Sequence, residues 1–131
     1  MNRILIADDE ECLLLAYKKL LSGPGVTIDT TQSAPDAKKL LSTNIYCVVI
    51  VDLRLAGSAE MEGLEIIAYA HHRYPKPKII VLTAYGDNRI KECVLNAGAT
   101  YFFEKPISIF IIRDLLSSLG LYTNQSTHLK I

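Results

Sequence analysis

A chain of 131 residues is long enough for one domain with a sizeable core and too short for two ordinary ones. Half of the residues are hydrophobic, which argues against disorder, and 14 Lys and Arg balance 14 Asp and Glu, so no overall field draws the chain to nucleic acid or an anionic membrane. The apolar runs fall far short of the roughly 20 residues a membrane-spanning helix needs, and Met1-Asn2-Arg3 does not read as a secretory signal. A cytoplasmic location is expected, with no membrane partner.

Taken in order, strand-like and helix-like segments alternate. Arg3-Ile4-Leu5-Ile6-Ala7 runs into Asp8-Asp9. From Glu10 to Ser22, Leu13, Leu14, Tyr17, Leu20 and Leu21 share one side of a helix, which Gly23-Pro24-Gly25 stops. Val26 to Thr31 alternates apolar and polar residues, as a half-exposed edge strand does. Ser33 is placed to cap a helix over Ala34 to Ser42, with Pro35 at a tolerated early position. Cys47-Val48-Val49-Ile50-Val51 runs into Asp52, and Gly63 to Tyr74 reads as a third helix ended by Pro75 and Pro77. Ile79-Ile80-Val81-Leu82 runs into Thr83. Asn88 to Asn96 is a fourth helix, with Ile90, Val94 and Ala97 on one face and Gly98 as its C-cap.

Thr100-Tyr101-Phe102-Phe103-Glu104 runs into Lys105-Pro106, and Ser108 to Leu119 is a fifth helix closed by Gly120. On a 100° wheel Ile109, Ile111, Ile112, Leu115, Leu116 and Leu119 form its core arc, while Phe110 points away among Arg113, Asp114 and Ser117. Phe110 is either a single exposed apolar residue or, with Leu95, a contact patch for a homodimer or partner through the fourth and fifth helices. The domain is expected over residues 1–120, with residues 121–131 a polar tail that frays. Cys12, Cys47 and Cys93 are odd in number and widely spaced, which predicts free core thiols in a reducing compartment.

Alternating strands and helices point to a doubly wound α/β fold: one parallel sheet with helices on both faces. Its central runs are apolar at every position, as strands buried on both sides must be. Ligands of such sheets sit outside the carboxyl ends of the strands, where Asp8, Asp9, Asp52, Thr83 and Lys105 all fall. Crowded carboxylates repel, and a hard cation such as Mg²⁺ removes that penalty. A carboxylate beside the cation can attack phosphorus, with an ammonium to neutralise the transferring oxygens.

Each residue also has a plainer use. Asp8 and Asp9 suit a helix start, Thr83 a cap, and Lys105 a solvated surface. His71-His72 reads as an exposed helix end, and Gly23-Pro24-Gly25 and Gly57 as turns, since no glycine-rich phosphate loop follows the first strand. It is the convergence of five residues on one sheet edge that favours chemistry.

The chain resembles a response-regulator receiver domain, of the CheY-like superfamily of two-component signalling, from roughly Arg3 to Gly120. The resemblance rests on Ile6 to Glu10, Val48 to Leu55, Met61 to Glu65, Val81 to Asp87, Ala97-Gly98-Ala99 and Phe103 to Pro106, in that order. It implies a five-stranded, flavodoxin-like sheet in order 2-1-3-4-5, with Asp52 as phospho-acceptor from a histidine kinase or phosphotransfer protein. Asp9, Asp52 and the backbone carbonyl of Arg54 would hold Mg²⁺ directly, and Asp8 largely through water. Thr83 and Lys105 would contact the phosphoryl oxygens, Thr83 and Phe102 would act as the switch, and Lys105-Pro106 would be cis.

Two features depart from the family pattern. The stretch from Asp52 to Gly63 is a few residues longer, and Ala56 stands where proline is usual, so a mobile loop is expected over residues 56–60. A haloacid dehalogenase-like phosphatase, with an aspartate nucleophile, needs a second acid where Arg54 stands. A phosphorylation-independent interaction module would not need the Asp, Thr and Lys set. No DNA-reading segment follows Gly120, so direct DNA binding by this chain is not expected.

Overall fold

A computed structural model describes residues 2–53, 58–84 and 88–123, with the backbone alone for 58–61. Its elements are β1 (Asn2–Ala7), α1 (Glu11–Leu21), β2 (Val26–Thr31), α2 (Ala34–Thr43), β3 (Val48–Leu53), α3 (Ser58–His71), β4 (Lys78–Thr83), α4 (Asn88–Ala97), β5 (Tyr101–Glu104) and α5 (Ile109–Ser118). The five strands form one sheet in the order β2-β1-β3-β4-β5, and every pairing is parallel. This is the doubly wound, flavodoxin-like arrangement.

Alternation along the central strands divides the core in two. Leu5, Val49, Val51, Ile79 and Val81 face α2, α3 and α4 through Leu41, Ile67 and Val94. Ile4, Ile6, Ile50, Ile80 and Leu82 face α1 and α5 through Leu14, Leu21, Ile112 and Leu116. All six residues of β3 are buried, as the middle strand of a two-faced sheet requires. Each fully buried Ile or Leu contributes roughly 1.5–3 kcal/mol.

Local chemistry explains the element ends. The Ser33 side chain accepts from Asp36 N at 3.3 Å and so starts α2. At the end of α4, Gly98 N donates to Leu95 O at 3.1 Å and Ala99 N to Val94 O at 3.0 Å. Gly98 takes φ +120°, and a Cβ there would lie 2.4 Å from the His71 ring, so glycine is required. On edge strand β2 the Asp29 carboxylate accepts from Arg3 at 2.8 Å and from the Tyr46 hydroxyl at 2.6 Å. Burial and that carboxylate push the Tyr46 phenol well above its usual range.

Several sequence expectations are corrected. Helix α3 begins at Ser58 and ends at His71, rather than spanning Gly63 to Tyr74; Ala59, Glu60 and Met61 are strong helix formers and extend it. The loop expected over residues 56–60 is therefore helical from Ser58, and its first two residues lie outside the described residues. Cys12 and Cys93 are exposed, so neither is a core thiol, while Cys47 is half-buried against the α1–α5 core; all three are free. Ile111 is 51% exposed because the arc of α5 centres on Ile112 and Leu116 and is narrower than its apolar content suggests. His71 is half-buried against Gly98, where an exposed helix end was expected.

The C-terminal stretch also differs, since Leu121 to Thr123 do not fray. Leu121 joins the α1–α5 core, the Tyr122 hydroxyl donates to Leu21 O at 2.6 Å, and Thr123 N donates to Pro24 O at 2.8 Å. Arg113 donates to Leu20 O and Ser22 O, capping the carbonyl end of α1. Residues 124–131 lie outside the described residues.

Candidate functional site

Strand β3 carries Asp52 to the carboxyl edge of the sheet, where its side chain is 1% exposed. Asp52 shares the parity of Val48 and Ile50, which face α1 and α5. Burying a carboxylate is costly unless it is paired. Lys105, just past β5, supplies the pair: its Nζ lies 2.5 Å from Asp52 Oδ2. The lysine is placed by its backbone, whose N–H donates to Thr83 O at 2.7 Å, and the Lys105-Pro106 bond is cis. The other oxygen, Asp52 Oδ1, is buried without a hydrogen-bond partner among the described residues.

Asp8, at the end of β1, is 4% exposed. Its Oδ1 accepts from Glu10 N at 3.0 Å and so shapes the turn into α1. It does not cap the helix itself: the N-cap residue of α1 is Glu10, and no side chain caps it. Burial pushes the Asp8 carboxyl up to about 7; the Glu10 N–H pulls it down, while the charge and proximity of Asp52, and Asp9 beside it, raise it further. The crevice is thus short of positive charge on its acidic side.

Asp9 is exposed and lines the same cleft as Asp8 and Asp52. Among the described residues no three His, Cys, Asp or Glu side chains are gathered tightly enough to form a ready cage for an ion. The donor set nevertheless fits Mg²⁺, which takes few carboxylates and keeps several waters. A cation held by these carboxylates would satisfy Asp52 Oδ1 and offset the crowding that helps to raise the Asp8 carboxyl. Arg54, whose carbonyl was the expected further ligand, lies outside the described residues.

Thr83 ends β4 fully buried. In register it stands opposite Leu53 on one side and Glu104 on the other, two residues beyond the Val81–Phe102 pair and so on the same face as Val81. Phe102 is half-buried against the α2–α3–α4 core. Thr83 and Phe102 thus share one face of the sheet, while Asp52 and Lys105 meet at its edge.

Two residues of the site were not legible in the sequence. Tyr17, which the pattern assigns to the apolar side of α1, reaches Asp52 Oδ2 with its hydroxyl at 3.4 Å. The available signal was a phenol inside an apolar stripe, because a buried Tyr O–H needs a partner. Glu62 lines the acidic cleft from α3 and accepts from Ala34 N at the start of α2, at 3.4 Å.

Comparison with known proteins follows the same pattern. The family model described as response regulator receiver domain matches residues 4–117. The alginate biosynthesis transcriptional regulatory protein AlgB of Pseudomonas aeruginosa is 31% identical over 107 residues, which are 82% of this chain and 23% of that protein. The photosynthetic apparatus regulatory protein RegA of Cereibacter sphaeroides is 30% identical over 117 residues, 89% of this chain and 62% of that protein. The chain therefore spans less than two thirds of either relative.

Among solved structures, a CheY-like receiver domain protein from Methanospirillum hungatei superposes with a TM-score of 0.76 at 29% identity, covering 92% of this chain and 91% of that one. A response regulator from Burkholderia pseudomallei, solved with a phosphorylated aspartic acid, calcium ion and citrate, shares the fold at a TM-score of 0.74 and 22% identity, covering 99% of this chain and 71% of that one.

Proposed function

The chain belongs to the response regulator receiver domain family, and from that premise we infer that it accepts a phosphoryl group on Asp52 from a histidine kinase or phosphotransfer protein. The observation that carries this reading is the asymmetry of the Asp52 carboxylate: Oδ2 held by Lys105, Oδ1 buried and unsatisfied toward the acidic side. Oδ2 attacks phosphorus, the new O–P bond replaces the P–N bond of a phosphohistidine, and the electron pair leaves on the imidazole nitrogen. In this reading Lys105 then meets the transferring oxygens, and Thr83, buried at the end of β4, supplies a hydroxyl to them.

Asp8, Asp9 and Asp52, with the Arg54 carbonyl, are the residues that would hold Mg²⁺, which supplies positive charge on the transferring oxygens and relieves the carboxylate repulsion. In the Burkholderia response regulator the same fold carries a phosphorylated aspartic acid and a calcium ion. Readout follows from Thr83 and Phe102. A hydroxyl drawn toward the phosphoryl group leaves space that the neighbouring ring fills, a two-state repacking that biases the α4–β5–α5 surface. The regulator's output and its partners are read from that surface.

The test is direct. After treatment with a small acyl-phosphate donor and Mg²⁺, intact mass and peptide mapping are expected to show one phosphoryl group on Asp52. None is expected in Asp52→Asn or when the metal is chelated. Equal labelling of Asp52→Asn overturns the assignment, and steady turnover of unrelated phosphate monoesters points instead to a phosphatase.

A further inference from the structure

Tyr17 stands outside the residues that the receiver reading uses, yet its hydroxyl approaches the reacting atom of that reading. It projects from the middle of α1, packs against the α1–α5 core, and ends 3.4 Å from Asp52 Oδ2. That oxygen therefore faces two donors, the Lys105 ammonium at 2.5 Å and the phenol. They differ in what phosphorylation does to them. The ammonium follows the negative charge onto the phosphoryl oxygens, whereas the phenol is carried by a half-buried ring packed against the α1–α5 core and stays beside Oδ2.

We propose that Tyr17 sets the lifetime of the phosphorylated state by hydrogen-bonding the leaving oxygen of the aspartyl phosphate. This rests on the reading of Asp52 as phospho-acceptor. In hydrolysis, water attacks phosphorus and the bond between phosphorus and Oδ2 breaks. Its electron pair stays on Oδ2 to restore the carboxylate, and inorganic phosphate leaves with a proton released to solvent. Charge grows on Oδ2 through a loose transition state, and a donor aimed at an atom where charge develops speeds that step. The same donor favours the free carboxylate over its ester. Tyr17 therefore shortens the signal without touching the phosphoryl oxygens or the metal.

The experiment compares wild type, Tyr17→Phe and a protein carrying 3-fluorotyrosine at position 17, a more acidic phenol. Each is phosphorylated with a small acyl-phosphate donor and Mg²⁺, freed of donor, and followed by intact mass. Tyr17→Phe is expected to take the phosphoryl group at least as fast and to hold it about threefold longer, the low end of the net effect of a single hydrogen bond. The fluorinated protein is expected to lose it faster than wild type, which a purely structural role of the ring does not produce. In metal-free protein the Tyr17 Cζ resonance is expected to move on Asp52→Asn. Equal lifetimes in all three proteins, or a shorter one in Tyr17→Phe, overturn the proposal and leave the receiver reading standing. Failure of wild type to label at Asp52 overturns both.

Discussion

A single carboxyl shows how the site is tuned. Asp8 is ordinarily ionised above 3.8, but in the folded protein it keeps its proton up to about 7. Between those values the native state binds more protons than the unfolded chain, so Asp8 makes stability fall as pH rises across that window. This is the reverse of a salt-bridged carboxylate, whose contribution is lost on acidification. We predict that metal-free Asp8→Asn is more stable than wild type at pH 8, with a melting temperature higher by about 5 °C, and that the difference closes toward pH 4. Saturating Mg²⁺ is expected to remove most of the gap at pH 8 by stabilising only the wild type. Calorimetry across pH checks this, and a difference independent of pH contradicts it. Asp9→Ala, at an exposed position, is expected to lower Mg²⁺ affinity about tenfold or more while leaving the metal-free melting temperature within about 2 °C.

Among elements, α4 illustrates how a short helix is fixed at one end. Its terminal Gly98 combines a positive φ with contact on the His71 side chain of α3. Gly98→Ala is expected to cost about 1–3 kcal/mol in urea unfolding, from backbone strain and displacement of that ring. An unchanged midpoint would show that the α3–α4 contact gives way freely. Much of this level was legible beforehand. The strand ends bearing Asp8, Asp52, Thr83 and Lys105 follow from apolar runs stopping at polar residues, and Ser33 and Gly98 declare helix ends by type. What escaped depends on tertiary reach. Tyr17 looks like any apolar-face residue until β3 is placed beside it, Glu62 joins the crevice from α3, and Leu121 and Tyr122 look polar-flanked until the core takes the one and the Leu21 carbonyl of α1 the other.

At the scale of the whole molecule, Phe110 and Leu95 remain 65% and 42% exposed on α5 and α4, and Ile111 adds a further exposed apolar residue on α5. We predict that Phe110→Glu abolishes any phosphorylation-dependent self-association in sedimentation while Asp52 still labels; a strictly monomeric phosphoprotein at high concentration removes the homodimer. Among the described residues no helix is long and apolar enough to cross a membrane. Asp52 sits on six-residue β3, buried throughout, but its partner Lys105 follows β5, a four-residue edge strand that is half-buried at Tyr101 to Phe103. Amide hydrogen exchange is therefore expected to be slowest along β3 and much faster along β5. On that expectation the anion lies on the strand that opens last and the cation beside one that opens sooner, and local opening of β5 is expected to release Lys105 while the acceptor strand stays closed.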